Sequence, residues 1–536
     1  MKARLLAALG SRRARENYLL FALAAFAFEL VLDFRILPPS SLNWMFEFDS
    51  DTTQYYFAAA FFRNSHWHFP IGGMETMLHP VGASFTLADA VPLLGIVTKA
   101  LSPLLSTDFQ YFGLWLFGCL WLSAVFAKRL FAQVGVTPAL AWAGTALITL
   151  APPLVARFGH CGLSAHWLLL AAFSLVLEVD ALPKRRIALL AALALFLSSY
   201  LFAMVNALLL ATFVVHRRSR REVLLGVAGW LSAIVLAAWV LGYFGLRSTT
   251  GLLVDKYYGD LTALFASAGV SSIVPKIPLR GAIGRMKDGT GEGFAYLGLG
   301  GILLFLALVT RVALPWLRRG SARNLHPNAL VLAVPCLLMA CYAVSPSPFI
   351  LGERYDGWAA LTELIHPIAL RLRAPGRFWW PFFYYVLVFG IQAVDRFAAE
   401  LELPRVQSAT VAAAALVLCQ AADVGPWFYG HGRNRAFRHP PELPAIAADV
   451  EARFTKDTRY LIFDPPVLRI PCSGMSRWVQ PYYSLALYAA RHGLTVNTDF
   501  RATARLPPDD HSKVCRYTRK LRQKPLPPDM VRVEQD

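Results

Sequence analysis

Apolar runs of roughly 17 to 25 residues recur along the chain, which is the length an α-helix needs to cross the hydrocarbon core of a bilayer. They predict spans at about 18–37, 111–130, 138–155, 163–182, 223–244, 294–312, 329–344, 379–394 and 406–420. The run 187–215 has basic clusters at both ends, so two short helices meeting near 198–206 are expected there. Segment 85–105 is broken by Asp89, Pro92, Lys99 and Pro103 and is expected to lie in the interface without crossing. The predicted fold is mainly α: a polytopic transmembrane helical bundle of roughly eleven spans.

Charge sets the expected orientation. Five basic residues (Lys2, Arg4, Arg12, Arg13, Arg15) precede the first run, no small-residue cleavage site follows, and Lys128, Arg129 and Lys184 to Arg186 end later runs. By the positive-inside rule the N-terminus is cytoplasmic and the first run is a retained span. Residues 38–108 then form a large periplasmic loop rich in aromatics, proline and glycine. An odd span count places the charged, proline-rich segment 423–536 in the periplasm as a small C-terminal α/β domain, following a membrane domain at 1–422. Glu29 and Asp33, one turn apart, are expected to share a face directed into the bundle.

Composition agrees with the pattern, since 56% of residues are hydrophobic and 16% charged, with a mean hydropathy of +0.46. The net charge of +18 sits in clusters that punctuate apolar runs, so the expected partners include membrane lipids and exclude nucleic acid. Cys472 and Cys515, the two cysteines of the C-terminal segment, would be allowed a disulfide in an oxidising compartment. The other five cysteines lie in or beside spans as packing residues, and no metal-binding pattern stands out.

Three features carry candidate chemistry. Glu47, Asp49 and Asp51 alternate at a membrane boundary among aromatics, where they could supply a general base or bind a divalent cation. Asp51, with Gln54 three residues on, also fits a capping box, and the two roles can coexist. Arg371, Arg373 and Arg377 precede the penultimate span on the outer side, where the positive-inside rule disfavours arginine; their guanidinium forks suit a lipid phosphate, a headgroup or a loop carboxylate. His160, His166 and the stretch Glu292 to Tyr296 occupy other outer ends and could line the same cleft or simply be structural.

Asp51-Thr-Thr-Gln-Tyr-Tyr, Asp89-Ala-Val-Pro-Leu, Gly159-His160, Ala165-His166-Trp167, Glu292-Gly-Phe-Ala-Tyr296 and Arg373-Ala-Pro-Gly-Arg377 together resemble a family of uncharacterised bacterial polytopic membrane proteins related to the GT-C superfamily of glycosyltransferases. Trp478-Val-Gln-Pro and Tyr488 to Asn497 are similar to that family's tail. The resemblance implies a bacterial inner-membrane transferase of the cell envelope that takes a sugar from a polyprenyl-phosphate donor and gives it, with inversion, to a periplasmic glycan or lipid acceptor. It implies a catalytic carboxylate in the first outer loop, at Asp51 or Asp49; Arg371, Arg373, Arg377, Asp89, His160, His166, Glu292 and Tyr296 are the candidate substrate-binding set. A transporter or flippase of a lipid-linked saccharide is the rival. It would call for paired mid-membrane charges and repeated halves, neither of which is evident.

Overall fold

The structure, a computed structural model, describes residues 12–46, 51–178, 182–216, 219–245, 259–275, 291–317, 325–344, 349–350, 353–354, 374–401, 404–432, 442–446, 448–466, 468, 472, 481–498 and 508–534. Helices dominate them. Those of the N-terminal half are α1 (Arg12–Val31), α2 (Asp51–Asn64), α3 (Pro92–Ala100), α4 (Phe112–Val134), α5 (Pro138–Thr149), α6 (Trp167–Leu177), α7 (Lys184–Leu197), α8 (Ser199–Val215) and α9 (Arg220–Leu241). They continue with α10 (Gly298–Leu317), α11 (Ala329–Val344), α12 (Trp379–Ala399), α13 (Arg405–Gly432), α14 (Pro481–Arg491) and α15 (Pro508–Arg522).

By length and composition, five helical stretches can cross a membrane: Phe112–Val134, Pro138–Val155, Arg220–Leu241, Pro375–Ala399 and Arg405–His431. The apolar stretches Cys161–Leu177, Ser199–Val215, Gly298–Ala313 and Ala329–Val344 are shorter, at about 25 Å each by the helical rise. Helix α3 has nine residues, about 14 Å, and cannot cross. Its Lys99 folds back, with Nζ 4.1 Å from the Phe62 ring and 3.1 Å from the His66 carbonyl.

The stretches Pro138–Val155 and Pro375–Ala399, the second holding α12, are each 72% buried within the bundle, against 17% for the peripheral α9. Exposed leucines and valines on α9, α11 and α13 (Leu224, Leu236, Leu330, Leu338, Val411, Leu418) form an outer surface suited to lipid and not to water. Ion pairs mark one end of the bundle: Arg129 and Arg186 meet Glu178 at 2.8 and 2.6 Å, and Lys128 pairs with Glu16. The opposite end of α4 is tied to the first loop, where Gln110 donates to the carbonyls of Ile36 and Pro38. Glu29 and Asp33 depart from expectation. Helix α1 ends at Val31, exposed Glu29 accepts from the Phe34 amide, and buried Asp33 accepts from the Arg35 amide, so the pair closes a helix end.

Strands are few. The short pairs β1 (Gly73–Met74) with β2 (Ala83–Ser84) and β3 (Phe349–Ile350) with β4 (Glu353–Arg354) are antiparallel. Near the C-terminus β5 (Tyr460–Asp464) lies between β6 (Thr495–Val496) and β7 (Met530–Glu534) in a parallel sheet, accompanied by α14 and α15. The first loop extends this sheet's edge: the Val496 amide donates to the Thr76 carbonyl at 2.9 Å, and the His79 amide to the Val496 carbonyl at 3.0 Å. Arg491 makes two 2.8 Å bonds to Asp108 across the same contact, and a Cys472–Cys515 disulfide packs beside Leu78.

Candidate functional site

Loops from five separate stretches converge at the end of the bundle opposite the Glu178 ion pairs. Asp51 is the first residue of α2, where the helix dipole favours a carboxylate. Its Oδ2 lies 2.8 Å from His160 Nδ1, and Tyr55, one turn further along α2, brings its hydroxyl within 3.2 Å of the same nitrogen. Burial pushes the Asp51 carboxyl up, but the hydrogen bond and charge of His160, helped by Arg377, outweigh it and leave its pKa below the usual value.

Asp89 approaches the same loop. A Cβ on Gly162 would sit 2.3 Å from Asp89 Oδ1 and 2.8 Å from its carbonyl oxygen, so only glycine admits this approach. Asp89 and Val91 both have left-handed backbones (φ 55° and 57°), a strain of about 1–3 kcal/mol each. The buried Tyr111 hydroxyl holds the Ala90 carbonyl between them. Burial raises the Asp89 carboxyl to about 6, against the opposing charges of Arg377 and His160. Asp51 and Asp89 therefore titrate in opposite directions from a common starting value, a separation that acid–base sites use.

The second cluster is built on Glu292. Its Oε2 accepts from Arg377 Nε at 2.6 Å and lies 3.3 Å from an Arg157 terminal nitrogen, while Arg157 also donates to the Gly291 carbonyl. Burial pushes the Glu292 carboxyl up, but the two guanidiniums outweigh it and hold its pKa well below the carboxylate range. Arg377 stacks 4.3 Å from the Tyr200 ring centre. The glycines of the two motifs explain how these segments meet: a Cβ on Gly293 would lie 2.9 Å from the Gly259 Cα and 3.5 Å from that of Gly376.

Thus Asp51, Asp89, His160, Glu292 and Arg377 come together. Asp49, Arg371 and Arg373, together with Glu47, lie outside the described residues. His166 and Tyr296 are fully buried and already engaged: His166 Nδ1 is 2.7 Å from the Tyr384 hydroxyl, and Tyr296 donates to Asp423 at 2.8 Å. Both rings are enclosed by the bundle in this structure. Arg157, Tyr55 and Tyr200 were not singled out in the sequence. Arg157 carried a usable signal, an arginine at the outer end of an apolar run, which is the same anomaly that marks Arg377. Among the described residues, three metal-ligand atoms gather within 4.8 Å only at Cys472, His511 and Cys515, and there the two sulfurs are bonded to each other.

A mainly helical bundle with lipid-suited flanks, gathering acids, a histidine and buried arginines at one end, defines a membrane protein with a polar site at the helix ends. Residues 21–425 match the family described as a domain of unknown function, DUF6311, and the chain belongs to that family. No curated protein matches the chain. Among solved structures it is similar to the crystal structure of the Archaeoglobus fulgidus oligosaccharyltransferase in the apo form, at 12% identity and a TM-score of 0.45. That similarity covers 91% of this chain, which spans 65% of the archaeal chain.

Proposed function

We propose that the protein is a membrane-embedded glycosyltransferase of the GT-C type, moving a sugar from a polyprenyl-phosphate donor to a glycan or lipid acceptor with inversion at the anomeric carbon. The observation that carries the proposal is the nearness of two unlike clusters. A carboxylate–imidazole pair suited to taking a proton stands close enough to Arg377 for that guanidinium to lower the Asp51 pKa. Arg377, oriented by Glu292 and joined by Arg373 and Arg371 of the same segment, faces the departing phosphate. The Asp51–His160 pair receives the acceptor hydroxyl's proton, and Asp89 contacts the sugar. In this reading the site faces the periplasm, the bundle has roughly eleven spans, and the part of 423–536 that follows α13 is a periplasmic domain that covers the first loop.

The test uses purified protein in liposomes with a panel of polyprenyl-phosphate sugars and candidate glycan acceptors, following labelled sugar. Wild type should transfer it, while Asp51→Asn, with an unchanged thermal melt, should lose at least 100-fold, the lower end of a general-base contribution. Loss of transfer on chelation would add a divalent cation to the site. Movement of labelled lipid between leaflets without consumption of donor would replace the proposal with a flippase.

A further inference from the structure

Asp51 does not stand alone as a base. Its carboxylate is 2.8 Å from His160 Nδ1, and that nitrogen is also the one flanked by Tyr55. A carboxylate at this distance takes the Nδ1 proton as its hydrogen bond, which fixes the neutral tautomer and leaves the lone pair on Nε2. Among the described residues Nε2 has no hydrogen-bond partner, and the imidazole keeps a quarter of its side-chain surface exposed. The backbone that carries the ring is also held in place. The His160 amide donates to the Arg157 carbonyl at 2.8 Å, and the Leu163 amide donates to the His160 carbonyl at 2.8 Å. The next carbonyl, of Cys161, accepts from Trp115 Nε1 at 2.7 Å. An acid partner that orients an imidazole, a fixed backbone beneath it, and a second nitrogen left without a partner on a partly exposed ring form the arrangement by which histidine acts as a general base.

We infer that Nε2 of His160, and not a carboxylate oxygen of Asp51, takes the proton from the acceptor, with Asp51 acting as a positioning residue that stabilises the resulting imidazolium. This rests on the glycosyl-transfer reading. In the step, the acceptor oxygen forms its bond to the anomeric carbon as its proton moves to Nε2. The bond from that carbon to the phosphate oxygen breaks, and its electron pair leaves on the phosphate.

Chemical rescue separates the two assignments. In the liposome assay His160→Gly should lose about 10²- to 10⁴-fold in transfer rate, and added imidazole should restore a measurable part, whereas formate should not rescue Asp51→Gly. Rescue of Asp51→Gly by formate together with less than a tenfold loss in His160→Gly would make Asp51 the base and overturn the inference. Should His160→Gly melt early, His160→Gln carries the test. It keeps a side-chain amide near Asp51 but offers no base, so transfer within tenfold of wild type would equally overturn the inference. A wild type inactive on every donor sinks the glycosyl-transfer reading itself, a result distinct from active wild type with an unrescued His160→Gly.

Discussion

Replacing Glu292 by glutamine removes a carboxylate that the structure sets between Arg157 and Arg377. The two arginine side chains are 1% and 8% exposed, so neither can recover its hydration. Removing one partner of a buried pair costs about 3–5 kcal/mol, because a desolvated charge is left behind. With an unfolding entropy of about 2.1 cal/mol/K per residue, a chain of 536 residues has about 1.1 kcal/mol/K, so the melt should fall by about 3–5 °C. Intrinsic-fluorescence melts in detergent read this directly. Glu400→Gln is the control: Glu400 pairs with Arg311 at 2.6 Å but is 55% exposed, and its loss should shift the melt by less than about 1 °C. Because the folded Glu292 pKa is depressed, its contribution is complete above the ordinary glutamate value and is lost only as pH falls through the lower folded value. The gap between Glu292→Gln and wild type should therefore persist unchanged from pH 8 down to pH ~5. A melt equal to that of Glu400→Gln, or a gap that closes between pH 8 and 5, would refute the buried bridge.

Three further outcomes follow from the geometry. Gly162→Ala places a methyl 2.3 Å from Asp89 Oδ1, which must move; overpacking of this kind costs about 1–3 kcal/mol, and transfer should fall with the melting temperature, whereas unchanged activity would remove Asp89 from the site. Asp89 has a raised pKa, so folding retains a proton there that the unfolded chain has released. Its contribution is complete below pH 3.8 and is lost as pH rises through about 6, and wild type should lose up to about 3 kcal/mol relative to Asp89→Asn between pH ~4 and ~7, as seen by paired denaturation curves. Reducing the Cys472–Cys515 disulfide, which closes a separation of 43 residues, removes about 4 kcal/mol of loop-closure constraint, so limited proteolysis should release the C-terminal segment faster in dithiothreitol, and equal rates would argue against the cross-link.

The helix positions were largely legible in the sequence because apolar length and basic punctuation report directly on the bilayer. The run bounded by Lys184 and Arg217 was expected as two short helices and is two, α7 and α8, with Ser198 between them in an extended backbone. Helix ends were less legible. The first helix stops at Val31, short of its apolar run, because Asp33 and Glu29 offer side-chain acceptors to the amides that follow. Within the site, Asp51 and Arg377 stood out because each is a charge in an unexpected setting. Their partners, His160 and Glu292, were candidates as well, but the pairings themselves were not legible. Asp51 with His160 and Arg377 with Glu292 are separated by 109 and 85 positions, and no local pattern encodes which helix ends become neighbours. For His166 the sequence left a substrate contact and a structural place both open, and the structure encloses its ring between a tyrosine hydroxyl and the Trp380 ring, 4.4 Å away.

The two clusters also differ in how much water they see, and the difference bears on their chemistry. Asp51 and His160 keep 41% and 25% of their side-chain surface, whereas Arg157 and Arg377 keep 1% and 8%. Charge interactions strengthen several-fold as water is excluded, so the guanidiniums act where an anion would feel them most, and the proton-accepting pair sits where a hydrated hydroxyl can arrive. On the proposed reading the lipid phosphate belongs at the dry end and the acceptor at the wet one, and the sugar carbon must lie between them. Gly162 and Gly293 each allow a close backbone approach beside one of the clusters, the first against Asp89 and the second against Gly259. A methyl at the first should disturb the proton-accepting side, and a methyl at the second should separate Glu292 from Arg377. If the line is drawn correctly, Gly293→Ala weakens donor binding, seen as a raised KM for the lipid-linked sugar, whereas Gly162→Ala lowers kcat. Identical kinetic signatures for the two variants would mean that the clusters do not divide the reaction in this way.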